Sequence, residues 1–140
     1  GTRESFRPRV RHEVRELTKD VYQSLAALIG ITVERARDLL RGLAFGVFEG
    51  QRLVSSAVSP ERLEDLAIVR GVYTAPEQRN RGYSTSVCSV LVKRLIDEGK
   101  EVVLYVSSDN PAALRVYRGI GFMETGHTFL SFLAKRRSAN

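Results

Sequence analysis

The chain reads as a single α/β domain, a mixed sheet with helices packed against it. Three observations carry that reading. Continuous apolar and β-branched runs alternate with runs of helical period. A strand–helix–strand unit spans Ala67 to Ser107, which implies a parallel pair joined by a right-handed crossover. Finally, 140 residues at 43% hydrophobic and 27% charged can bury one core. The domain is read over residues 1–140. Because the chain opens on Gly1-Thr2, without methionine, it can also be read as the C-terminal part of a longer chain.

The elements follow in order. "RVRHEVREL" alternates roughly and reads as an edge strand. "KDVYQSLAALIG" puts Val21, Leu25 and Leu28 on one face and stops at Gly30. "TVERARDLLRG" is a second helix, with Thr32 as N-cap and Gly42 as its stop. The period then changes. "LAFGVFEGQRLVSSAVS" reads as two strands joined by a turn at Glu49-Gly50-Gln51. "LEDLAIVRGVYTA" is a third, central strand ending at Pro76, and Gly71 within it marks a bulge or a close backbone approach. Gly82 to Glu98 carries apolar residues at 87, 88, 91, 92, 95 and 96, a broad helical face suited to a sheet. "EVVLYVSS" is a buried strand, and "NPAALRVYRGIGF" is a helix with Pro111 at its first position. "FMETGHTFLSFLA" closes the chain as a hairpin around Gly126.

Composition limits the chemistry. The formal charge of +6 favours anionic partners, yet the basic residues are scattered. Their clusters, Arg7 to Arg15 and Lys135 to Arg137, read as solvated tails. No recognition helix, stacking aromatic run or zinc finger accompanies the charge, so a nucleic-acid partner is not expected. Cys88 lies in an apolar helical run and reads as core, not nucleophile. His12 and His127 stand apart from thiols and paired carboxylates, so no metal site is expected. With no membrane-length apolar run or signal peptide, the expected location is cytoplasmic, with no membrane partner.

The stretch that suggests a ligand is "PEQRNRGYSTSV", Pro76 to Val87. It follows the end of a central strand and opens a long helix, the usual place for ligands in α/β sheets. Backbone N–H groups from Arg79 to Ser84 would face an anion at the helix N-terminus, and Gly82 would let that backbone approach closely. Arg79 and Arg81 would add charge-assisted bonds to phosphate. Neither the Gly-Lys-Ser/Thr of a P-loop nor the three-glycine dinucleotide fingerprint is present.

Together with "DNPAALRVYRGIGF", this stretch resembles the GCN5-related N-acetyltransferase (GNAT) superfamily, and "VYTAPEQRNRGYSTSV" is similar to its FR47-like subgroup. Arg79-Asn80-Arg81-Gly82-Tyr83-Ser84 matches the family's pyrophosphate loop, with serine where glycine or alanine is usual. Asn110, Ala113, Tyr117, Gly121 and Phe122 match a second, downstream pattern. The resemblance implies the acyl-CoA N-acyltransferase fold: a mixed, mostly antiparallel sheet with a splayed parallel central pair, flanked by helices. It implies acetyl-CoA as cosubstrate and an amine as acceptor, acetylated by direct attack in a ternary complex. Val72 and Thr74 would bond the pantetheine arm through their backbone. Arg79, Asn80, Arg81, Gly82, Tyr83 and Ser84 would hold the pyrophosphate. Asn110 would contact pantetheine, or cap the helix before Pro111, or do both. Tyr117 would protonate the departing thiolate.

The general base stays open. The strand "AIVRGVYT" holds Arg70 and no carboxylate, with Glu64 and Asp65 upstream. A water relay or an amine arriving neutral would also serve. The alternative to catalysis is a non-catalytic, CoA-binding regulatory domain of the same fold. A homodimer is compatible with either reading. Arg115 and Arg118, exposed helix arginines, are left outside the site.

Overall fold

Thr32 caps the helix α2 (Val33–Leu39), its side chain accepting from the Arg35 N–H at 3.2 Å. Before it runs α1 (Tyr22–Ile29), entered through a 3-10 turn at Lys19–Val21 and closed at Gly30. The computed structural model describes residues 6, 8–61, 63–106, 110–124 and 130–134. Its strands are β1 (Arg15–Glu16), β2 (Leu43–Glu49), β3 (Arg52–Ser59), β4 (Leu66–Thr74), β5 (Glu101–Val106), β6 (Met123–Glu124) and β7 (Leu130–Ala134). Two longer helices complete it, α3 (Tyr83–Asp97) and α4 (Pro111–Gly119). The strands form one seven-stranded sheet in the order β1-β2-β3-β4-β5-β7-β6. All neighbouring pairs run antiparallel except β4 and β5, which are parallel as expected.

The sheet is buried on two faces. Leu43, Phe45 and Val47 alternate along β2 toward α3, whose Val87, Cys88, Leu91, Val92, Leu95 and Ile96 cover that side. Ala44, between them, turns to the opposite face and joins Leu25, Ala26, Ala36 and Leu40 of the α1–α2 layer. Each fully buried leucine, such as Leu91 or Leu95, contributes roughly 1.5–3 kcal/mol.

Two details differ from the sequence reading. The first strand shrinks to Arg15–Glu16, paired with Gly46 and Phe45 at the sheet edge. Arg9 and Arg11, before it, are not a free tail either. The backbone N–H groups of Arg9 and Arg11 donate to Ser89 Oγ and Ser86 Oγ of α3, at 2.9 and 3.0 Å. Both serines are fully buried, and this short segment gives each hydroxyl oxygen a donor. Ser107, the turn around Gly126 and the basic cluster 135–137 lie outside the described residues. The two strands expected to form the closing hairpin do pair, Met123 with Leu133 and Glu124 with Phe132.

The central pair then opens. β4 and β5 pair from Leu66↔Glu101 to Val69↔Leu104 and no further, although both strands continue. The cause is a bulge at Gly71. From Ser56 to Val58 β3 advances two residues, while β4 advances three between Arg70 and Tyr73. Gly71 adopts a φ of +61°, a conformation that side chains oppose, and its carbonyl accepts from Ser56 Oγ at 3.0 Å.

Candidate cofactor cleft and active site

The open edge of β4 is the starting point. Ala75 N–H donates to the Val54 carbonyl at 2.8 Å, so this end of β4 remains bonded to β3. Alternation then turns the backbone groups of Thr74 and Val72 to the other side, where β5 has departed. One contact agrees with this: Arg79 Nε donates to the Thr74 carbonyl at 3.2 Å.

A cleft of about 680 Å³ runs along that edge. Its wall includes Val72, Thr74, Arg79, Asn80, Gly82, Tyr83, Ser84, Asn110 and Tyr117. A second cavity of about 270 Å³ lies where the strands part, lined by Arg70, Val72, Tyr105, Asn110 and Tyr117 among others. Val72, Asn110 and Tyr117 line both, so the two adjoin.

At one end of the cleft, α3 begins without a side-chain cap. Gly82 stands at its N-cap position with a φ of +83°. The first N–H groups of α3 therefore lack the usual acceptor, and the helix dipole favours an anion there. Asn80, also left-handed at φ +66°, and Gly82 curl the loop around this point. Thr74 Oγ1 lies 2.6 Å from Ser84 Oγ and Ser55 Oγ 2.8 Å from Thr74 Oγ1, a hydroxyl chain that fixes the strand end to the helix start. Arg79 lies with its guanidinium 5.7 Å from the Tyr73 ring centroid.

At the other end, Tyr117 is 6% exposed and meets Phe122 edge to face. Burial, and secondarily the neighbouring Cys88, pushes its phenol well above the ordinary value. The group therefore keeps its proton through the neutral range. Burial likewise pushes the Cys88 thiol up to about 12, which removes it as a thiolate nucleophile. Thiol-alkylating reagents at pH 8 are expected to leave Cys88 unmodified in the folded protein and to label it once denatured. Labelling of native protein, read by mass spectrometry, would contradict the burial. Asn110 caps α4, its Oδ1 accepting from the Ala113 N–H at 3.2 Å, and also lines the cleft. Asn110→Ala is expected to cost about 1 kcal/mol in denaturant unfolding, whatever it does to binding.

A strand edge opened at a bulge, an uncapped helix start and a buried tyrosine thus share one cleft. The family model for FR47-like proteins matches residues 44–130, more than half of the chain and all three of these features. The chain belongs to the FR47-like family.

No curated protein sequence matches this FR47-like chain. Solved structures do. The ribosomal-protein-S18-alanine N-acetyltransferase of Escherichia coli superposes with a TM-score of 0.77 at 15% identity, over 91% of this chain and 97% of that one. A structure assigned to the GNAT acetyltransferases of Novosphingobium aromaticivorans gives 0.74 at 23% identity, over 94% of this chain; the FR47-like chain spans 60% of that protein's length. PaiA N-acetyltransferase of Thermoplasma acidophilum, in complex with coenzyme A, gives 0.70 at 18% identity, over 88% and 98%. At such identities the likeness speaks for the fold, which is that of the GNAT acyltransferases.

Nine of the ten residues singled out from the sequence line the cleft. The tenth, Arg81, is not part of its wall; its Nη1 faces Glu49 Oε2 at 3.5 Å. Four residues that matter locally went unpredicted. Arg115, set aside as a surface arginine, lines the cleft. Glu49 and His12 stand behind the loop, and neither carries a local sequence signal. Gln78 is the other surprise: 9% exposed, on the cleft wall, with its Oε1 buried and unpartnered.

Proposed function

We propose that the FR47-like chain transfers acetyl from acetyl-CoA to a primary amine by direct attack in a ternary complex. The observation that carries this reading is the edge of β4 at Val72 and Thr74, which β5 no longer pairs and which lies between the start of α3 and Tyr117. The cradle N–H groups and Arg79 hold the diphosphate, and the β4 edge bonds the pantetheine arm as an added strand would. The acceptor nitrogen attacks the thioester carbonyl carbon, and β4 N–H groups stabilise the oxygen as it gains charge. The C–S bond then breaks, and Tyr117 donates its proton to the departing sulfur. The amine's surplus proton leaves to solvent, after which Tyr117 is reprotonated.

Among the described residues, no carboxylate lines the cavity where the strands part. That observation favours an amine arriving neutral, and it keeps a second reading alive, a non-catalytic CoA-binding domain. The proposed setting is the cytoplasm, with no nucleic-acid or membrane partner.

Calorimetric titration with acetyl-CoA, followed by an amine panel with thiol release as readout, tests both. Binding with turnover supports the transferase, binding with no turnover on any amine supports the second reading, and no binding removes both. Arg79→Ala is expected to weaken acetyl-CoA roughly tenfold or more, the loss of a charge-assisted bond.

A further inference from the structure

The cradle does not hold its own shape. Asn80 and Gly82 are both left-handed, a region that asparagine and glycine tolerate but do not favour strongly enough to fix a loop by themselves. The supports come from far away in the chain. Glu49, at the end of β2, takes three of them. Its Oε2 accepts from Tyr83 OH at 2.5 Å and faces Arg81 Nη1 at 3.5 Å, and its Oε1 accepts from Gln78 Nε2 at 3.4 Å. The loop is thereby held on both sides of its two left-handed residues. His12 adds a fourth tie: its Nε2–H donates to the Arg81 carbonyl at 2.7 Å, and its ring meets Tyr83 with centroids 4.4 Å apart.

We infer that Glu49 is the positioning residue of the cradle, acting on the ligand's diphosphate through Tyr83 and Arg81; this rests on the CoA reading above. A carboxylate so close to an anion site works against binding by direct charge, so attraction cannot be its role. Arg81 neutralises it, and the half-exposed pair is screened. What remains is geometric. Glu49 fixes the first turn of α3 and the loop before it, so that the N–H groups converge before the ligand arrives. Affinity then rises because less ordering remains to be done on binding.

The test compares acetyl-CoA with S-acetylpantetheine, which has the same thioester and arm but no diphosphate. Glu49→Ala should weaken acetyl-CoA about tenfold and leave the KM for S-acetylpantetheine unchanged. Glu49→Gln keeps an acceptor for Tyr83 and should fall between wild type and alanine. Because Glu49 acts through Tyr83, adding Tyr83→Phe to Glu49→Ala should cost less than it does in wild type. Circular dichroism and thermal scans of each variant verify folding. The inference is overturned if Glu49→Ala binds acetyl-CoA as wild type does, if both ligands weaken equally, or if the double variant is additive. In each of those cases wild-type binding stands and only the role of Glu49 is lost. Wild-type protein that binds neither ligand removes the CoA reading, and this inference with it.

Discussion

Tyr117→Phe is expected to slow acetyl transfer by about two to four orders of magnitude while leaving acetyl-CoA affinity nearly unchanged. The hydroxyl is the only group removed, and the ring contact with Phe122 survives, so the cleft keeps its shape. The pH dependence follows from the same burial. The phenol's folded value lies above its ordinary 10.0, so the protonated form, the one needed to donate, is present from neutral pH to at least pH 10. The wild-type kcat should therefore show no alkaline decline assignable to Tyr117 in that range. A pH profile of kcat on both proteins checks this. Equal rates for the variant would remove Tyr117 as the acid, whereas a wild-type limb near pH 9 absent from the variant would mean its proton is not held as described.

Gly71→Val is expected to have the second-largest effect, reducing both binding and transfer at least tenfold. Valine opposes a φ of +61°, a strain of roughly 1–3 kcal/mol. Its Cβ would meet Val58 Cγ2 at 3.4 Å, an ordinary contact, so the strain is the backbone's. The cheapest relief is to flatten the bulge, which shifts the register of Val72 and Thr74 against β3. Misplacement of reacting groups by about 1 Å costs on the order of a hundredfold. Gly71→Asn, which tolerates the left-handed region, should retain most activity. If valine and asparagine variants bind and react alike, the bulge does not set the open edge. Thermal unfolding, measured beside the kinetics, separates loss of shape from loss of fold.

How much of this was legible depended on range along the chain. The α3 face at 87, 88, 91, 92, 95 and 96 and the caps Thr32 and Asn110 are local patterns, and the sequence displays them directly. The splay between β4 and β5 was expected from the family resemblance; Gly71 pointed to a bulge or a close backbone approach, and only the pairing with β3 shows that it is a bulge. Contacts between distant segments leave no such trace. Glu49 sits in an ordinary hairpin sequence, yet folding puts it behind a loop some thirty residues on. His12 looked isolated because its partners, Arg81 and Tyr83, are about seventy residues away. For the same reason Arg9 and Arg11 read as solvated, since only the folded chain shows Ser86 and Ser89 waiting for their backbone. Arg81 was assigned by its place in the loop; which way a side chain turns depends on a neighbour the loop does not contain.

The open edge of β4 also bears on how such a protein can change over generations. Peptide N–H and C=O groups are supplied by every residue except proline, which lacks the N–H, so an edge made from them survives most substitutions at Val72. Thr74 has less latitude, because its hydroxyl ties the strand end to Ser55 and Ser84. The adjoining cavity, lined by Arg70 and Tyr105 among others, can change its side chains without altering that backbone edge. A backbone-built grip uncouples what is carried from what receives it.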